Sequence, residues 1–372
     1  MSNGIASCEV VIGRRDIETM CRFVRAIDGL GRLPDYRRHL QALGLPQAAR
    51  FDPGYDSVMM GYDFHLSDAG PRLIEINNNA GGVFLALQAQ YRSADVVDDP
   101  VYHRARDKLV RMFSDDYQVF SGDAAARPGL IAIVDERPQE QYNYPEMQLF
   151  AEVLEREWSV SAVVADPSDL DLDGNRVVYQ GRQVDMIYNR HCDFYLETVE
   201  MADIREAYLQ HRVCLSPNPW VYGLMGDKRR MMLWADRDML LGFGMQPDDA
   251  DFVSEAVPGI QLLADANRDE VWATRKQWVF KPTTLYGSRG VLPGTAMRKK
   301  RFEQLDPEQT IIQEFIPPPR TECAGADKPL KTDVRLFAYK DRVLGVAARV
   351  YEGQVTNFRG PGSGYARVVI GG

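Results

Sequence analysis

The stretch that decides the fold is residues 61–82, which reads GYDFHLSDAGPRLIEINNNAGG. Apolar strand formers flank Glu75, and the alternation of a β-strand then places Glu75 and Asn77 on the same face. Asp63 lies twelve residues before Glu75, on what reads as a preceding strand across a polar turn. The hairpin therefore predicts two carboxylates and one amide oxygen on one surface, and such oxygen donors suit Mg²⁺.

An edge hairpin with a solvated polar face is the alternative interpretation of this stretch, since oxygen-rich hairpins are common. Gly81 and Gly82 follow the second strand, where a ligand or a phosphate could approach the backbone closely. The hairpin alone does not decide between the two interpretations, so the rest of the chain has to.

Composition restricts the possible functions. The chain has 372 residues, of which 45% are hydrophobic and 26% charged, as in an ordinary soluble protein. Its net charge of −9 argues against a nucleic-acid partner, because little excess basic surface is available to neutralise phosphates. Neither a membrane span nor a signal-type segment is evident, so we expect no membrane insertion and no export. The five cysteines are scattered without a Cys-x-x-Cys pair, which fits a cytoplasmic protein and gives no zinc signal.

The pattern of apolar residues predicts three segments. Residues 1–125 carry the hairpin, preceded by two amphipathic helices that start near Asp16 and Pro34. Residues 126–220 alternate short buried strands with a helix, which predicts an open α/β domain. This domain has no Gly-x-Gly-x-x-Gly turn after its first strand, so we expect no dinucleotide site there. Residues 221–372 form the third segment.

A second set of motifs lies in the third segment. A strand ends at Lys281 and leads into a Gly-Ser-Arg-Gly loop that contains Gly287, Ser288 and Gly290. A lysine supplies a point charge, and such a loop can aim backbone N–H groups at phosphate oxygens, although a plain hairpin turn is the alternative. The P-loop pattern Gly-x4-Gly-Lys-[Ser/Thr] is absent from the chain.

Further polar residues follow in strands. The strand in residues 310–316 stops at three prolines, which cannot donate to a sheet ladder. The next hairpin carries Arg335 and Arg349, and Asn357 lies beyond it. Earlier, Lys228 stands in the first turn of a predicted helix, where the macrodipole slightly disfavours a lysine and so favours a functional reason for it.

Together these motifs resemble those of the ATP-grasp enzymes, and their order is similar to that of eukaryotic glutathione synthetase from about residue 55 to the C-terminus. In most of that family the Asp-x11-Glu-x-Asn pattern ends the chain, whereas here it lies near the start. The resemblance therefore implies an α/β (α+β) protein with a circularly permuted ATP-grasp fold and a preceding open α/β domain.

The resemblance also implies roles for individual residues. Mg²⁺ is expected to bind Asp63, Glu75 and Asn77. ATP is expected to contact Lys228, Lys281, Gly287, Ser288, Gly290, Glu314, Phe315, Ile316 and Asn357. Arg335, Arg349 and Lys281 would stabilise charge on the transferring phosphoryl group. Arg190 and Arg367 are candidates for binding a substrate carboxylate, although an arginine at a strand end is more often a structural pairing.

Two positions depart from glutathione synthetase. Gly61 stands where that family has an arginine, which argues against a glutathione-like substrate. Leu285 stands where the family has a metal-binding glutamate, which suggests that Asp63 supplies the missing carboxylate.

We therefore predict an ATP-dependent carboxylate–amine ligase that forms an amide through an acyl phosphate and releases ADP and phosphate. Its partners would be a small carboxylate and an amine, such as that of an amino acid, and family analogy suggests a homodimer. Two alternatives stay open. A small-molecule kinase would release a phosphorylated metabolite and no free phosphate, and a non-catalytic nucleotide-binding regulator would bind without turnover.

Overall fold

The computed structural model describes residues 4–283, 290–354 and 356–372, which form a mixed α/β fold with four sheets. The strands β1 to β18, in chain order, are Ile5–Gly13, Met60–Ser67, Gly70–Asn77, Leu130–Val134, Ser161–Ala165, Leu170–Asp173, Arg176–Tyr179, Arg182–Gln183, Met186–Asn189, Cys214–Ser216, Ile260–Leu262, Trp278–Pro282, Leu292–Pro293, Thr310–Glu314, Arg320–Thr321, Leu330–Tyr339, Arg342–Tyr351 and Gly364–Gly371. The α-helices α1 to α13 are Arg14–Arg32, Pro34–Ala42, Gln47–Arg50, Val83–Tyr91, His103–Ser121, Tyr144–Trp158, Ala202–Leu209, Pro219–Val221, Arg230–Trp234, Arg237–Gly242, Pro247–Ala256, Arg268–Ala273 and Lys299–Glu303.

The largest sheet joins strands from both halves of the chain. Its order is β1-β18-β17-β16-β2-β3, with β15 paired to β16. The predicted hairpin β2–β3 therefore lies beside a strand that comes much later, and Asp63 stands opposite Arg335 across the β2–β16 ladder. The second predicted hairpin, β16–β17, turns at Lys340, as expected.

Alternation along β16 gives this sheet two different faces. Val334 and Leu336 point into a core that also contains the apolar face of α1. Phe337 points the other way, into a core shared with α4, α5 and α6. Asp333 and Arg335 lie on that second face too, because residues two apart share a side. This second face of the sheet is therefore apolar at Phe337 and charged at Asp333 and Arg335.

A parallel sheet in the order β10-β9-β4-β5 lies within the segment predicted to be an open α/β domain. Ile131 and Ile133 face α5 and α6, whereas Ala132 and Val134 face the core that contains α7. Both faces are covered, as parallel sheets require. Asp135 and Arg190 directly follow the carboxyl ends of β4 and β9.

The remaining large sheet is antiparallel, in the order β11-β14-β12-β13. Its own small core packs Phe280 and Ile312 against Phe302 of α13. The polar edge of this sheet lies against the β2–β3 hairpin, because Lys281 Nζ and Gln313 Nε2 both reach the carbonyl oxygen of Ile74.

One covalent link was not indicated by the sequence. Cys8 on β1 and Cys323 beyond β15 form a disulfide, with Cα atoms 4.8 Å apart. Disulfides persist mainly in oxidising compartments, so this pair does not favour a cytoplasmic location, which stays a prediction. In the part of the chain that the structure describes, no helix combines the length and the apolar character needed to cross a bilayer.

Candidate functional site

The register of the β2–β3 hairpin confirms the predicted clustering of its polar side chains. Asp63 pairs directly with Glu75, and Gly61 pairs with Asn77. The side-chain amide of Asn77 donates to Asp63 Oδ2 at 3.1 Å and to Glu75 Oε1 at 3.3 Å. Asn77 therefore contacts both of the other side chains predicted to bind metal.

A β-bulge in this hairpin shapes the site. The ladder shifts between Asp63 and Phe64, leaving Ile74 as an extra residue on β3. Leu73 and Ile76, which would lie on opposite faces of a regular strand, both enter the core, while Ile74 faces the cleft. The carbonyl oxygen of Ile74 accepts a hydrogen bond from Lys281 Nζ at 3.0 Å. The bulge therefore places a carbonyl oxygen where Lys281, on the antiparallel sheet, can hydrogen-bond to the hairpin.

Beside the hairpin lies a group of buried charges, here called the aspartate–arginine cluster: Asp63, Asp333, Arg335 and Arg349. Arg335 Nε and Nη2 donate to the two oxygens of Asp63, both at 2.6 Å. Arg349 Nη2 lies 2.9 Å from Asp63 Oδ2, and Arg349 Nε donates to Asp333 Oδ1 at 2.6 Å. None of the four residues is more than 8% exposed, and their formal charges cancel.

The arginines decide the protonation of Asp63. Burial alone would raise the pKa of this carboxyl, but the charges and hydrogen bonds of Arg335 and Arg349 lower it to about 2. Asp63 is therefore ionised, and both of its oxygens are already engaged by guanidinium groups. This geometry favours Glu75, which is only half-buried, as the carboxylate open to a cation. Within the described residues, no three His, Cys, Asp or Glu side chains are placed to hold a metal, so the predicted metal site stays a prediction.

Lys281 lies at the bottom of the same cleft and is 6% exposed. Burial lowers the pKa of its ammonium to about 8; Glu75 and Asp63 oppose this shift, and the charge of Lys228 adds to it. Lys228 precedes α9, in line with the predicted helix start, and lies within electrostatic range of Lys281. Two cations therefore approach each other here, an arrangement that a polyanion would stabilise.

The strand end at Glu314, Phe315 and Ile316, predicted to contact ATP, borders the cleft. The Phe315 N–H donates to Gln277 O at 2.7 Å, and His65 Nδ1 lies 2.7 Å from Ile316 O. Burial lowers the pKa of His65. Because a carbonyl oxygen only accepts, the Nδ1–H of His65 donates to it. Glu314 also borders the cleft. The apolar part of the cleft is lined by Ile74, Val279, Val291 and Pro293.

The predicted phosphate loop is only partly described. Leu285, Gly287 and Ser288 lie outside the described residues. Gly290 has a φ of +72°, a left-handed conformation that glycine adopts without strain. The roles predicted for this loop stay predictions.

Two other predicted residues lie in different surroundings. Asn357 Oδ1 accepts a hydrogen bond from the Arg359 N–H at 3.2 Å, beside Thr356, which lines the cleft. Arg367 is 2.8 Å from Glu9 in a solvent-exposed ion pair across β1 and β18. Arg367 is not among the residues that line the cleft.

Arg190 has the geometry of a structural pair. Its Nη1 donates to the carbonyl oxygens of Asn79 at 2.8 Å and of Ala80 at 3.1 Å, and the residue is 6% exposed. The backbone at Gly82 is also closely packed. Its φ is +92°, and a Cβ there would lie 1.9 Å from Tyr365 Oη. Arg190 therefore fixes the loop that follows Asn77, and its substrate role stays a prediction.

Sequence reasoning did not single out several polar residues of the cleft, among them His65 and Gln313. His65 stands two residues after Asp63, so alternation along β2 was the signal that could have placed it on the same face. Gln313 precedes Glu314 on β14, and its hydrogen bond to Ile74 depends on a bulge that no local pattern announces.

No protein-family model matches the sequence, and no curated protein sequence matches it. Among solved structures, the chain resembles a glutathione synthetase-like effector from Globodera pallida in its apo form. The TM-score is 0.55 at 11% sequence identity, over 98% of this chain and 90% of that one. It also resembles a protein from Methylobacillus flagellatus described as a candidate gamma-glutamylcysteine synthetase, with a TM-score of 0.50 at 11% identity, over 90% of this chain and 82% of that one. The predicted mixed α/β fold class is confirmed by the sheets of this chain and by its similarity in fold to these two structures, whereas the circular permutation stays a prediction.

Proposed function

We propose that the chain is an ATP-dependent carboxylate–amine ligase with a circularly permuted ATP-grasp fold. One observation carries this proposal: the cleft between the seven-stranded and antiparallel sheets is lined by Lys281, Glu75 and three members of the aspartate–arginine cluster, Asp63, Asp333 and Arg349. Cations at the base, an apolar upper part and a half-buried carboxylate are the features that a metal-bound nucleoside triphosphate requires. The names of the two structural neighbours agree with a ligase.

The permutation is supported by the position of one hairpin. β2 and β3 occur early in the chain yet complete the sheet beside β16, which occurs late. In the resemblance described above, the strands with the Asp-x11-Glu-x-Asn pattern end the chain. Moving them to the front while keeping their place in the sheet requires only a new connection between old termini.

The donor set in the cleft fits Mg²⁺ and a polyphosphate. Glu75 and Asn77 offer a carboxylate and an amide oxygen, which are hard donors of the kind Mg²⁺ accepts. When bound, the ion would neutralise phosphate charge. Lys281 and Lys228 would hold phosphate oxygens, and the strand end at Phe315 would hold the base.

The reaction proceeds by two displacements. An oxygen of the substrate carboxylate attacks the γ-phosphorus of ATP, and the bond from that phosphorus to the bridging oxygen breaks, releasing ADP and leaving an acyl phosphate. The amine nitrogen then attacks the acyl carbon, the carbon–oxygen bond to phosphate breaks, and the nitrogen gives up a proton to the departing phosphate. Arg349, which lines the cleft, would direct N–H groups at the transferring oxygens, and Asp63 and Asp333 hold it in place beforehand. Arg335, whose nitrogens already donate to Asp63 and Gly81, would contribute its positive charge.

The decisive experiment starts from the protein, Mg-ATP and a metabolite extract, with mass spectrometry of the products. A ligase yields ADP, free phosphate and a new species whose mass equals acid plus amine minus water. Hydroxylamine should replace the amine and give a hydroxamate. A stable phosphomonoester of a metabolite without free phosphate would contradict the proposal and support a kinase.

A further inference from the structure

A second cavity, of about 420 Å³, lies at the carboxyl ends of the parallel strands β4 and β9. Its volume falls within the range of about 300–1,000 Å³ that is usual for small-molecule sites. Ligands of open α/β sheets bind at this edge. The cavity is distinct from the nucleotide cleft, since the two share no lining residue.

The cavity borders three segments that carry predicted nucleotide or metal contacts. Asp227 and Arg229 line it on either side of Lys228 in sequence. Thr283 lines it two residues after Lys281. Its His191–Cys192 wall adjoins the loop after Asn77, because Asn79 Nδ2 donates to Arg190 O at 3.0 Å and lies 3.9 Å from Cys192 Sγ. A molecule in this cavity would therefore lie next to the proposed reaction centre.

The lining is strongly acidic, and we call the cavity the acidic pocket. Its carboxylates are Glu136, Asp166, Asp193, Glu197, Glu200 and Asp227. Among the described lining residues Arg229 is the one arginine, and its Nε and Nη2 donate to Asp227 at 3.0 and 2.5 Å. Glu136 is paired as well, with Arg137 at 3.0 Å. His191 is neutral, since burial lowers its pKa and its Nδ1 accepts the Asp193 N–H at 3.1 Å. The described part of the lining thus carries excess negative charge, because Asp166, Asp193, Glu197 and Glu200 make no ion pair among the described residues.

An aromatic wall completes the pocket. Phe194 stacks on Tyr222 with ring centroids 4.4 Å apart, and Tyr195 meets Tyr222 edge-on at 4.9 Å. The Tyr195 hydroxyl donates to Asp227 Oδ2 at 2.7 Å, which fixes its ring. Aromatic faces beside carboxylates stabilise organic cations with aliphatic stems.

We infer that the acidic pocket binds the amine substrate, and that this substrate is an aliphatic diamine or polyamine rather than an amino acid. The inference rests on the proposed ligase function. An amino acid brings a carboxylate that the pocket's four carboxylates without an ion pair would repel. A monoamine held there would stay protonated and could not attack, because the surrounding negative charge favours its charged form. A substrate with two nitrogens avoids this difficulty, because one ammonium group stays in the pocket while the other nitrogen, unprotonated, attacks the acyl phosphate.

The experiment measures binding separately from turnover. Spermidine, 1,4-diaminobutane, n-butylamine and glycine are titrated into the full chain with Mg-ATP present, by isothermal calorimetry. The pocket variant is Glu197→Gln/Glu200→Gln, because both side chains are exposed and make no ion pair among the described residues. The matched control is Glu152→Gln/Glu255→Gln, which removes the same charge from exposed sites on α6 and α11.

We expect spermidine and 1,4-diaminobutane to bind more tightly than n-butylamine, and glycine not to bind measurably. The Kd of spermidine should rise about tenfold in the pocket variant and less than about twofold in the control, with weaker binding at high salt. Equal Kd changes in the two variants, or glycine binding as tight as that of the diamines, would overturn the inference.

The results that would contradict the ligase proposal differ from those that would contradict the pocket inference. If the metabolite extract yields a condensation product that contains an amino acid or an uncharged amine, the pocket inference is wrong and the ligase stands. If spermidine binds with the expected dependence on Glu197 and Glu200 but the extract gives no ATP-dependent condensation, the ligase proposal is wrong and the pocket remains a polyamine site.

Discussion

Asp63 and Glu200 are both carboxylates beside the proposed reaction centre, but their charges are balanced in different ways. In the aspartate–arginine cluster each carboxylate meets guanidinium groups within 3 Å, and the whole group is buried. In the acidic pocket Asp227 and Glu136 are paired with arginines, whereas the other four carboxylates make no ion pair among the described residues. Charges that compensate each other hold a fold in place, whereas charges left uncompensated in a cavity indicate a ligand of opposite sign.

The largest effect on the free energy of unfolding should come from a substitution in the aspartate–arginine cluster. Asp63→Asn leaves Arg335 and Arg349 buried without their shared carboxylate, and we expect a loss of about 3–5 kcal/mol in the free energy of unfolding. Urea denaturation measures this loss. The folded-state pKa of Asp63, about 2, is depressed, so its contribution is present above the unfolded value of about 3.9 and is lost as pH falls toward 2. A loss below about 1 kcal/mol would mean that the carboxylate serves a ligand and not the fold.

Glu75→Gln tests the carboxylate that the cluster leaves open. We expect ATP-dependent phosphate release to fall by about 10² or more, because a charged oxygen donor is lost. The free energy of unfolding should change by less than about 1 kcal/mol, since the side chain is half-buried and faces the cleft. Asp63→Asn is the control, because that variant is expected to lower the free energy of unfolding by several kcal/mol. Wild-type turnover in a folded Glu75→Gln variant would remove this residue from the site.

Lys281 gives a smaller effect that depends on pH. Its depressed pKa of about 8 means that the free protein loses this charge as pH rises through 8. Mg-ATP should therefore bind about tenfold more weakly at pH 9.5 than at pH 7.5. Lys281→Arg keeps its charge over that range, so its affinity should be nearly constant. Fluorescence titration at each pH measures the Kd, and a flat profile in the wild type would contradict the role given to this lysine.

The smallest effect on the free energy of unfolding is expected from substitutions in the acidic pocket. Glu197→Gln/Glu200→Gln should change the free energy of unfolding by no more than about 0.5 kcal/mol, because exposed carboxylates contribute little to folding. Removing like charges could even stabilise the protein slightly. Urea denaturation beside Asp63→Asn provides the comparison. A loss of several kcal/mol would show that the pocket carboxylates belong to the fold after all.

The sequence predicted the fold better where a local pattern carried the signal. The hairpin that pairs Asp63 with Glu75, the turn at Lys340 and the strand ending at Lys281 all follow from alternation and turn chemistry. The strand β1 was not predicted. Its buried positions include the small residues Ala6 and Cys8, which give a weak apolar alternation, and β1 is held by parallel pairing with the distant β18.

The site was predicted in its parts but not in its charge balance. A sequence shows that Asp63 and Arg335 exist, yet nothing local shows that β2 and β16 are neighbours in the sheet. The same holds for the acidic pocket, whose carboxylates come from several loops at one sheet edge. Arg190 illustrates the opposite case, because the structural pairing weighed for it from the sequence is the arrangement that the structure contains.

The pairing of β2 with β16 has a consequence for the newly made chain. Asp63 leaves the ribosome 272 residues before Arg335, so at about 5–20 residues per second the wait is roughly 15–50 seconds. During that time the hairpin has an open edge, and its aspartate is stable only while water solvates it. The sheet can close only after both arginines have been synthesised, so the earliest-made part of the site is among the last to be buried.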